Sequence, residues 1–291
     1  MPARLAPAKV NLFLHVGAPT ADGYHPICSL MVFADVGDRV SMELGEGRLT
    51  ASGPFAGGLG RESDNLIIRA VRAFVADLGR PMAELSFGLD KRLPIASGLG
   101  GGSSDAGAAL RLIRDVFAPQ VDDARLEAVA ARLGADGAAC LWGRPVLAQG
   151  RGERLTPAPG LPVLHAVLVN PGVPVSTPEV YRRLDAAGAF GDVTPPVMPD
   201  AFESPQEVAA WLATQGNDLE APAVAAAPEI GTVLDTLRDE PEVLLARVSG
   251  SGGTCFALCG DDIAAETLAE RIEAMAPHWW VERCRLGGPW E

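Results

Sequence analysis

Residues 94–104 read PIASGLGGGSS, between a strand-like segment and a helix-like segment. Four glycines and three serines in eleven residues are more than a turn requires. Glycine lets the backbone approach a ligand closely and adopt a positive φ. The free N–H groups at a helix start, together with the helix dipole, bind anions. The stretch therefore predicts a phosphate-binding loop, with a flexible loop before a helix as the alternative interpretation.

The surroundings of the glycines narrow the type of phosphate loop. A P-loop of the form GxxxxGK[ST] is excluded because no lysine follows the glycines; the chain's two lysines are Lys9 and Lys91. A dinucleotide-binding GxGxxG is excluded because Ser103 occupies the position of the third glycine. The HRD and DFG motifs of the protein kinases are also missing from the sequence.

The segments on both sides of this loop predict an α+β fold. Strands are predicted over 8–16, 39–44, 84–89, 165–169, 244–248, 254–259 and 279–285, and helices over 64–78, 103–117, 122–133, 176–187, 204–215 and 261–275. Ser63 or Asp64 can cap the first helix, and capping boxes begin at Ser176 and Ser204. Strands and helices mix without regular alternation, which favours α+β packing over a doubly wound sheet. The Pro- and Gly-rich stretch 157–162 predicts a boundary between two domains, 1–158 and 159–291.

Composition excludes several classes of partner. The 291 residues include 37 acidic and 24 basic ones, for a net charge of −13. This balance argues against a nucleic-acid backbone or an anionic membrane as the main partner, although a local loop can still bind a small anion. No apolar run has the length of a membrane span, and we expect no signal peptide. Five cysteines without a CxxC pair predict reduced thiols in a cytoplasmic protein.

Lys9 and Asn11 lie on one face of the predicted strand 8–16, in which apolar residues alternate with them. One interpretation is an edge strand with one solvated face. The other is that both polar side chains point together into a cleft.

Asp136 stands in a small, apolar segment, 134–140, that is otherwise free of charge. A lone buried carboxylate is costly unless it is paired. Lys9 is the natural candidate for that partner, and a helix-terminal cap is the alternative role.

Tyr24 and Tyr181 are the two tyrosines of the chain, and each stands in a polar turn or a first helical turn rather than in a core pattern. Aromatic rings at such places suit stacking on a flat ligand. Ordinary surface packing is the alternative.

Several motifs in a fixed order resemble one family. They are PAKVNLFLHV (7–16), ADGYH (21–25), SDNL (63–66), GLGGGSSDA (98–106), LGAD (133–136), VSTPEVY (175–181), NDLE (217–220) and SGSGGTCFAL (249–258). Together they resemble the GHMP small-molecule kinases, over nearly the whole chain. The motifs PAKVNLFL, GYH and STPEVY are most similar to the branch of that family whose alcohol substrate carries a cytidine diphosphate group.

The resemblance implies a two-domain fold, with an N-terminal domain like ribosomal protein S5 domain 2 and a ferredoxin-like C-terminal domain. It implies that ATP, with Mg²⁺, is the phosphoryl donor and that Lys9 and Asp136 are the catalytic pair. The ATP phosphate loop would comprise Pro94, Ile95, Ala96, Ser97, Gly98, Leu99, Gly100, Gly101, Gly102, Ser103 and Ser104, with Gly250–Gly253 packed beside it. The family usually has Val-Pro after the aspartate, where this chain has Gly137-Ala138.

The resemblance also implies a small-molecule cytidine-diphosphate substrate. Its site would be lined by Asn11, Tyr24, His25, Thr177 and Tyr181, with the two tyrosines sandwiching the cytosine. A monomer or weak homodimer is expected. Two alternatives stay open: a GHMP kinase for homoserine or mevalonate, and a paralogue that binds nucleotide without catalysis. The first offers no base for the tyrosines to stack on, and the second does not explain why Lys9 and Asp136 are both present.

Overall fold

The computed structural model describes residues 1–61, 64–79 and 84–290. The strands in these ranges are β1 Ala3–Val16, β2 Ile27–Leu44, β3 Leu49–Ser52, β4 Leu85–Asp90, β5 Val146–Gly150, β6 Arg154–Pro157, β7 Leu164–Asn170, β8 Val243–Val248, β9 Cys255–Cys259 and β10 Trp280–Gly287. The α-helices are α1 Leu66–Leu78, α2 Gly101–Phe117, α3 Asp123–Ala131, α4 Gly137–Trp142, α5 Thr177–Ala187, α6 Pro205–Leu212, α7 Glu220–Ala226, α8 Pro228–Arg238 and α9 Asp262–Met275. In the same ranges, no helix has both the length and the apolar character that a membrane crossing demands.

One sheet runs through both halves of the molecule. Its strand order is β3-β4-β2-β10-β7-β9-β8, and β1 and β5 also pair with β2 while β6 pairs with β5. The two halves join where β10 pairs with β2, at Leu286 opposite Ala34 and Gly287 opposite Phe33. Strands β1–β6 precede residue 158 and β7–β10 follow it, but because the sheet is continuous the boundary itself stays a prediction.

The C-terminal half has the ferredoxin-like order that the sequence predicts. Its antiparallel strands lie in the order β10-β7-β9-β8, with helices between β7 and β8 and between β9 and β10. This is the split βαββαβ arrangement. The α+β class is therefore confirmed, and the helices pack their apolar faces on the sheet around residues such as Val169, Leu234 and Ile272.

Strands β1 and β2 differ from their predicted forms. An edge strand with a solvated face is wrong for β1, since Lys9, Asn11 and Phe13 are all buried. Strand β2 begins at Ile27 rather than at residue 39. Residues 27–34 of β2 are buried on both faces. Apolar and polar residues therefore do not alternate there, and the sequence pattern does not predict a strand.

Helix starts also depart from the sequence patterns. Asn65, not Asp64, caps α1, because its side chain accepts a hydrogen bond from the N–H of Ile67; Ser63 lies outside the described residues. The side chain of Ser204 caps α6 as predicted, whereas that of Ser176 makes no capping bond to α5. Five elements were not predicted: α4, α7, α8, β5 and β6. All but α8 are under eight residues long, too short for a clear periodic pattern.

Candidate active site

A cleft of about 1180 Å³ lies between the two halves, large enough for a nucleotide and a second substrate. Most of the predicted site residues line it: Lys9, Asn11, Tyr24, His25, Pro94, Ile95, Ala96, Ser97, Gly98, Gly100, Gly101, Gly102, Ser103, Asp136, Thr177 and Tyr181. Leu99 and Ser104 are the exceptions. Leu99 belongs to the apolar core, and the hydroxyl of Ser104 is buried without a hydrogen-bond partner. Neither side chain is available at the cleft surface, because both turn inward where the loop enters α2.

The glycine loop has the backbone conformation that its composition predicts. Gly98 and Gly100 have φ angles of +77° and +64°, and Gly100 immediately precedes α2. Helix α2 begins two residues earlier than predicted, at Gly101, and carries no acidic residue in its first turn. Its free N–H groups therefore face the cleft without a competing side-chain anion.

A second glycine loop, residues 249–253, holds the first in place. The N–H of Thr254 donates to the carbonyl of Ser97 at 3.0 Å, and the hydroxyl of Ser249 donates to the carbonyl of Gly98 at 3.2 Å. A Cβ atom on Gly98 would lie 2.3 Å from the carbonyl oxygen of Ser249. Gly98 therefore serves close backbone packing as well as a positive φ.

Lys9 and Asp136 meet at the cleft. The ammonium of Lys9 lies 3.2 Å from the Asp136 carboxylate, and the Lys9 side chain runs against Gly100. Asp136 stands at the start of α4 but makes no capping hydrogen bond, so the cap alternative is wrong. Strand β1 brings the cation and α4 the anion to the end of the phosphate loop.

Gly137 stands at the position where the family resemblance leads one to expect valine. A Cβ atom at Gly137 would lie 2.1 Å from the carbonyl oxygen of Ala130, at the end of α3. Helix α3 thus approaches the start of α4 more closely than a side chain would allow. Asp136 contacts Lys9 in this arrangement, and glycine at 137 is a requirement of the packing.

Asn11 orients Lys9. Its Oδ1 accepts a hydrogen bond of 2.6 Å from Lys9 Nζ, and its Nδ2 donates to Ser29 Oγ at 2.7 Å. Ser29 in turn donates to the carbonyl of Phe13 at 2.6 Å. Both ends of the Asn11 amide are therefore occupied, which places this predicted substrate residue beside the ammonium as its hydrogen-bond partner.

The turn that carries Tyr24 is more open. The Tyr24 ring is 57% exposed, and the guanidinium of Arg151 lies 4.1 Å from its centroid. Arg151 also pairs with Asp22 of the same turn. A cation over the face of an aromatic ring is attracted to it. The guanidinium of Arg151 therefore covers one face of the Tyr24 ring.

His25 and Tyr181 form the neighbouring wall. Their ring centroids are 5.1 Å apart, and the His25 Nδ1 lies 2.9 Å from the carbonyl of Gly17, to which it donates. The Nε2 faces the carboxylate of Asp185 at 3.2 Å. Tyr181 is half-buried rather than exposed; burial, and secondly the charge of Asp136, raise the pKa of its phenol to about 12. The phenol therefore stays neutral beside Lys9 and Asp136.

The sequence did not single out every residue around the cleft. Thr177 hydrogen-bonds at 2.7 Å to Ser251, which lies in a quoted motif but was not predicted to contact the substrate site. Arg151 and Asp185 reach the site from elements with ordinary surface patterns. Asp38, Lys91 and Asp105 form a buried cluster at the start of α2, and Lys91 and Asp105 are among the residues that line the cleft. Lys91 was visible as one of two lysines, but nothing in its neighbours marked its role.

Comparison with known proteins gives matches to one family. Residues 65–144 match the GHMP kinases N-terminal domain, and residues 200–278 match the GHMP kinases C-terminal domain. The 4-diphosphocytidyl-2-C-methyl-D-erythritol kinase of Caulobacter sp. is 65% identical and covers 98% of each chain. The enzyme of the same name from Hyphomonas neptunium is 50% identical over 97% of this chain and 95% of its own.

Solved structures give the same result for the fold. The crystal structure of 4-(cytidine 5'-diphospho)-2C-methyl-D-erythritol kinase superposes with a TM-score of 0.79 at 34% identity, covering 99% of this chain and 100% of that one. Homoserine kinase from Cytophaga hutchinsonii superposes with a TM-score of 0.66 at 20% identity, covering 99% and 96%. The second likeness concerns the fold alone.

Proposed function

The chain belongs to the GHMP kinase family, and from that premise we propose that it transfers the γ-phosphoryl group of ATP to the 2-hydroxyl of 4-diphosphocytidyl-2-C-methyl-D-erythritol. This reaction is a step of the non-mevalonate route to isoprenoid precursors. The observation that carries the proposal is the position of the Lys9–Asp136 pair. It lies in one cleft with the phosphate loop and with the Tyr24–His25 turn.

ATP is the phosphoryl donor. Its phosphates sit on the loop around Gly98–Gly102, where the backbone N–H groups at the start of α2 and the helix dipole attract them. The second glycine loop supports this backbone from behind through Ser249 and Thr254. The positive φ of Gly100 turns the chain into α2.

Asp136 accepts the proton of the acceptor hydroxyl, and Lys9, 3.2 Å from that carboxylate, stabilises the developing alkoxide. Asn11 holds the ammonium on the cleft side, because its own amide is fixed by Ser29. Phosphoryl transfer asks little covalent help of a protein, so most of the acceleration comes from positioning and electrostatics.

Mg²⁺ would accompany the nucleotide. Among the residues that the structure describes, no three carboxylate, imidazole or thiol groups are clustered as a dedicated metal site. This fits an ion that keeps waters and binds mainly through phosphate oxygens. The phosphate loop would then hold the ion through the nucleotide, and the ion's contribution is to offset phosphate charge.

The cytosine occupies the wall formed by Tyr24, His25 and Tyr181. A base stacked between aromatic rings gains affinity without requiring a charge on the protein. Both ring nitrogens of His25 have polar neighbours, Nδ1 the carbonyl of Gly17 and Nε2 the carboxylate of Asp185, and these contacts hold the orientation of the ring in the wall. Thr177, held by Ser251, lies at the same wall. The expected monomer or weak homodimer stays a prediction.

A turnover assay tests this function directly. Purified enzyme would be given ATP with Mg²⁺ and, in parallel, the cytidine substrate, homoserine or mevalonate. Of the three acceptors, we expect only the cytidine substrate to cause release of ADP. ³¹P NMR should then show a new phosphomonoester on C2 of its methylerythritol group. Turnover of homoserine or mevalonate instead would contradict the assignment. Nucleotide binding without turnover of any acceptor would support a catalytically inactive paralogue.

A further inference from the structure

The chain's second lysine lies beside the start of α2 and lines the cleft. Lys91 follows β4 directly and is 4% exposed. Its Nζ is 2.5 Å from Asp38 Oδ2 and 3.1 Å from Asp105 Oδ2, and both carboxylates are buried. A Cβ atom on Gly101 would lie 2.9 Å from the same Nζ. These three side chains, the buried cluster, thus join β2 and the end of β4 to the first turns of α2.

The two carboxylates of the buried cluster are not equivalent. Asp38 accepts three hydrogen bonds, from the N–H groups of Arg92 and Leu93 at 2.7 and 2.9 Å and from Lys91. Asp105 accepts one, from Lys91, and its Oδ1 is buried without a partner. A buried charge is costly unless it is paired and hydrogen-bonded. The negative charge of the cluster therefore belongs on Asp38, and Asp105 is the better place for a proton.

The electrostatics agree with this assignment. Burial raises the pKa of Asp105 to about 8; the charge of Lys91 opposes this, and that of Asp38 adds to it. Burial alone would lower the pKa of Lys91, but Asp105 and Asp38 outweigh it and raise that pKa. The ammonium thus stays charged throughout the pH range in which Asp105 titrates.

Other charged or titratable groups of the described residues also face the first turns of α2, among them the Lys9–Asp136 ion pair. Lys9 reaches Gly100 from β1, and Cys140 faces the same region from α4. Burial raises the pKa of the Cys140 thiol to about 12. Helix α1 packs on α2 through apolar side chains, of which Ile67 and Ala70 are buried.

Resting on the proposed function, we propose that the buried cluster positions the phosphate loop with Asp105 as a neutral carboxylic acid, and that ionisation of Asp105 weakens nucleotide binding. With Asp105 neutral, the ammonium and the Asp38 carboxylate cancel. With Asp105 ionised, one negative charge remains beside the backbone that must hold a polyphosphate. At an effective dielectric of about 20, a unit charge on the order of 10 Å from another changes affinity by roughly tenfold.

Calorimetric titration with MgATP from about pH 6.5 to about pH 9.5 brackets this ionisation. We expect the wild-type affinity to fall roughly tenfold as the pH rises through the window. Asp105→Asn, which keeps the shape and cannot ionise, should show a flat profile. Asp235→Asn makes the same chemical change on the exposed face of α8 and should follow the wild type. A flat wild-type profile, or an Asp105→Asn profile with the wild-type slope, would overturn the proposal.

A second measurement needs no acceptor and no variant that must bind ATP. Carboxyl ¹³C NMR of the wild-type enzyme labelled at aspartate should show one resonance that titrates several units above the ordinary aspartate range. Its absence from the Asp105→Asn spectrum assigns it. The proposal is contradicted if the Asp105 resonance titrates in the ordinary aspartate range, or if the resonance with the raised pKa belongs to Asp38. Neither result depends on which acceptor is phosphorylated, so a failure here is distinct from a failure of the proposed function.

Discussion

At the phosphate end of the cleft the loop rests on buried hydrogen bonds, through Asn11, Ser249 and the Asp38–Lys91–Asp105 cluster. At the base end the ring of Tyr24 is largely exposed, and His25 faces the partly exposed carboxylate of Asp185. The phosphate end is built mainly from backbone groups, and the base end from side chains on a turn and on the first turns of α5.

This difference corresponds to two tasks. Phosphoryl transfer depends on holding the reacting groups within a fraction of an ångström, so the phosphate end must be preformed. Recognition of a base needs contact area and adjusts more easily, because side chains on a turn reorient at small cost. Changes at the phosphate end should therefore act on kcat and ATP binding, and changes at the base end on the KM of the second substrate.

The largest effect should come from the catalytic pair. Asp136→Asn removes the charge and basicity of the carboxylate, and Lys9→Met removes the cation while keeping much of the stem. Each change should lower kcat by roughly 10²–10⁴ if proton transfer is lost. The double variant should be little worse than either single one, since groups that act as a unit are not additive. Steady-state kinetics on the three folded variants measure this.

ATP affinity serves as the internal control for the catalytic pair, because it should change far less than kcat. Near-normal kcat in Asp136→Asn would show that the carboxylate is not the base. The mechanism would then depend on Lys9 and the phosphate loop.

Gly100→Val should break the phosphate end. A side chain at Gly100 would be forced against Lys9, whose Cβ and Cε lie 3.2 Å from the position that an added Cβ would take, at a φ of +64°. We expect ATP binding to weaken by roughly 10²-fold, as for a misplacement of about 1 Å. Gly47→Val is the matched control: its φ is +75° and nothing lies within 4 Å of an added Cβ.

Both glycine variants should lose some thermal stability, because a left-handed conformation strains any branched residue by about 1–2 kcal/mol. Calorimetry should show the loss of ATP binding in Gly100→Val alone. Unchanged ATP affinity in a folded Gly100→Val enzyme would refute the phosphate loop.

The smallest effect should come from the base end. Tyr181→Ala removes one stacking surface and should raise the KM of the cytidine substrate by an amount equivalent to about 1–3 kcal/mol, as for base–aromatic stacking elsewhere. ATP binding should stay close to the wild type. Tyr181→Phe keeps the ring and should behave nearly as the wild type. If ATP binding falls instead of cytidine affinity, the two ends of the cleft have been assigned the wrong way round.

Local sequence patterns predicted the strands and helices that have clear periodicity and clear turn or capping residues at their ends. The strand-like run 165–169 and the helix ending at Gly79 stand where their periodicity and turn residues place them. The first part of β2 could not be predicted, because it is buried on both faces and has no alternation. Helix α4 was missed because its six residues carry no periodic signal.

The sequence by itself determined the family, through motifs in a fixed order, and it predicted the glycine loop before α2, whose positive φ angles the structure shows. It also offered Lys9 as the natural partner of Asp136, because a carboxylate in an apolar segment needs a cation, and the family resemblance implied that the two form the catalytic pair. Only the tertiary structure decided that they meet at 3.2 Å, that Asn11 serves Lys9, and that Lys91 joins Asp38 to Asp105 at the start of α2. The residues concerned are far apart along the chain. Burial and hydrogen-bond geometry, which govern the charge of a group, exist only once β1, β2, β4, α2 and α4 have packed together.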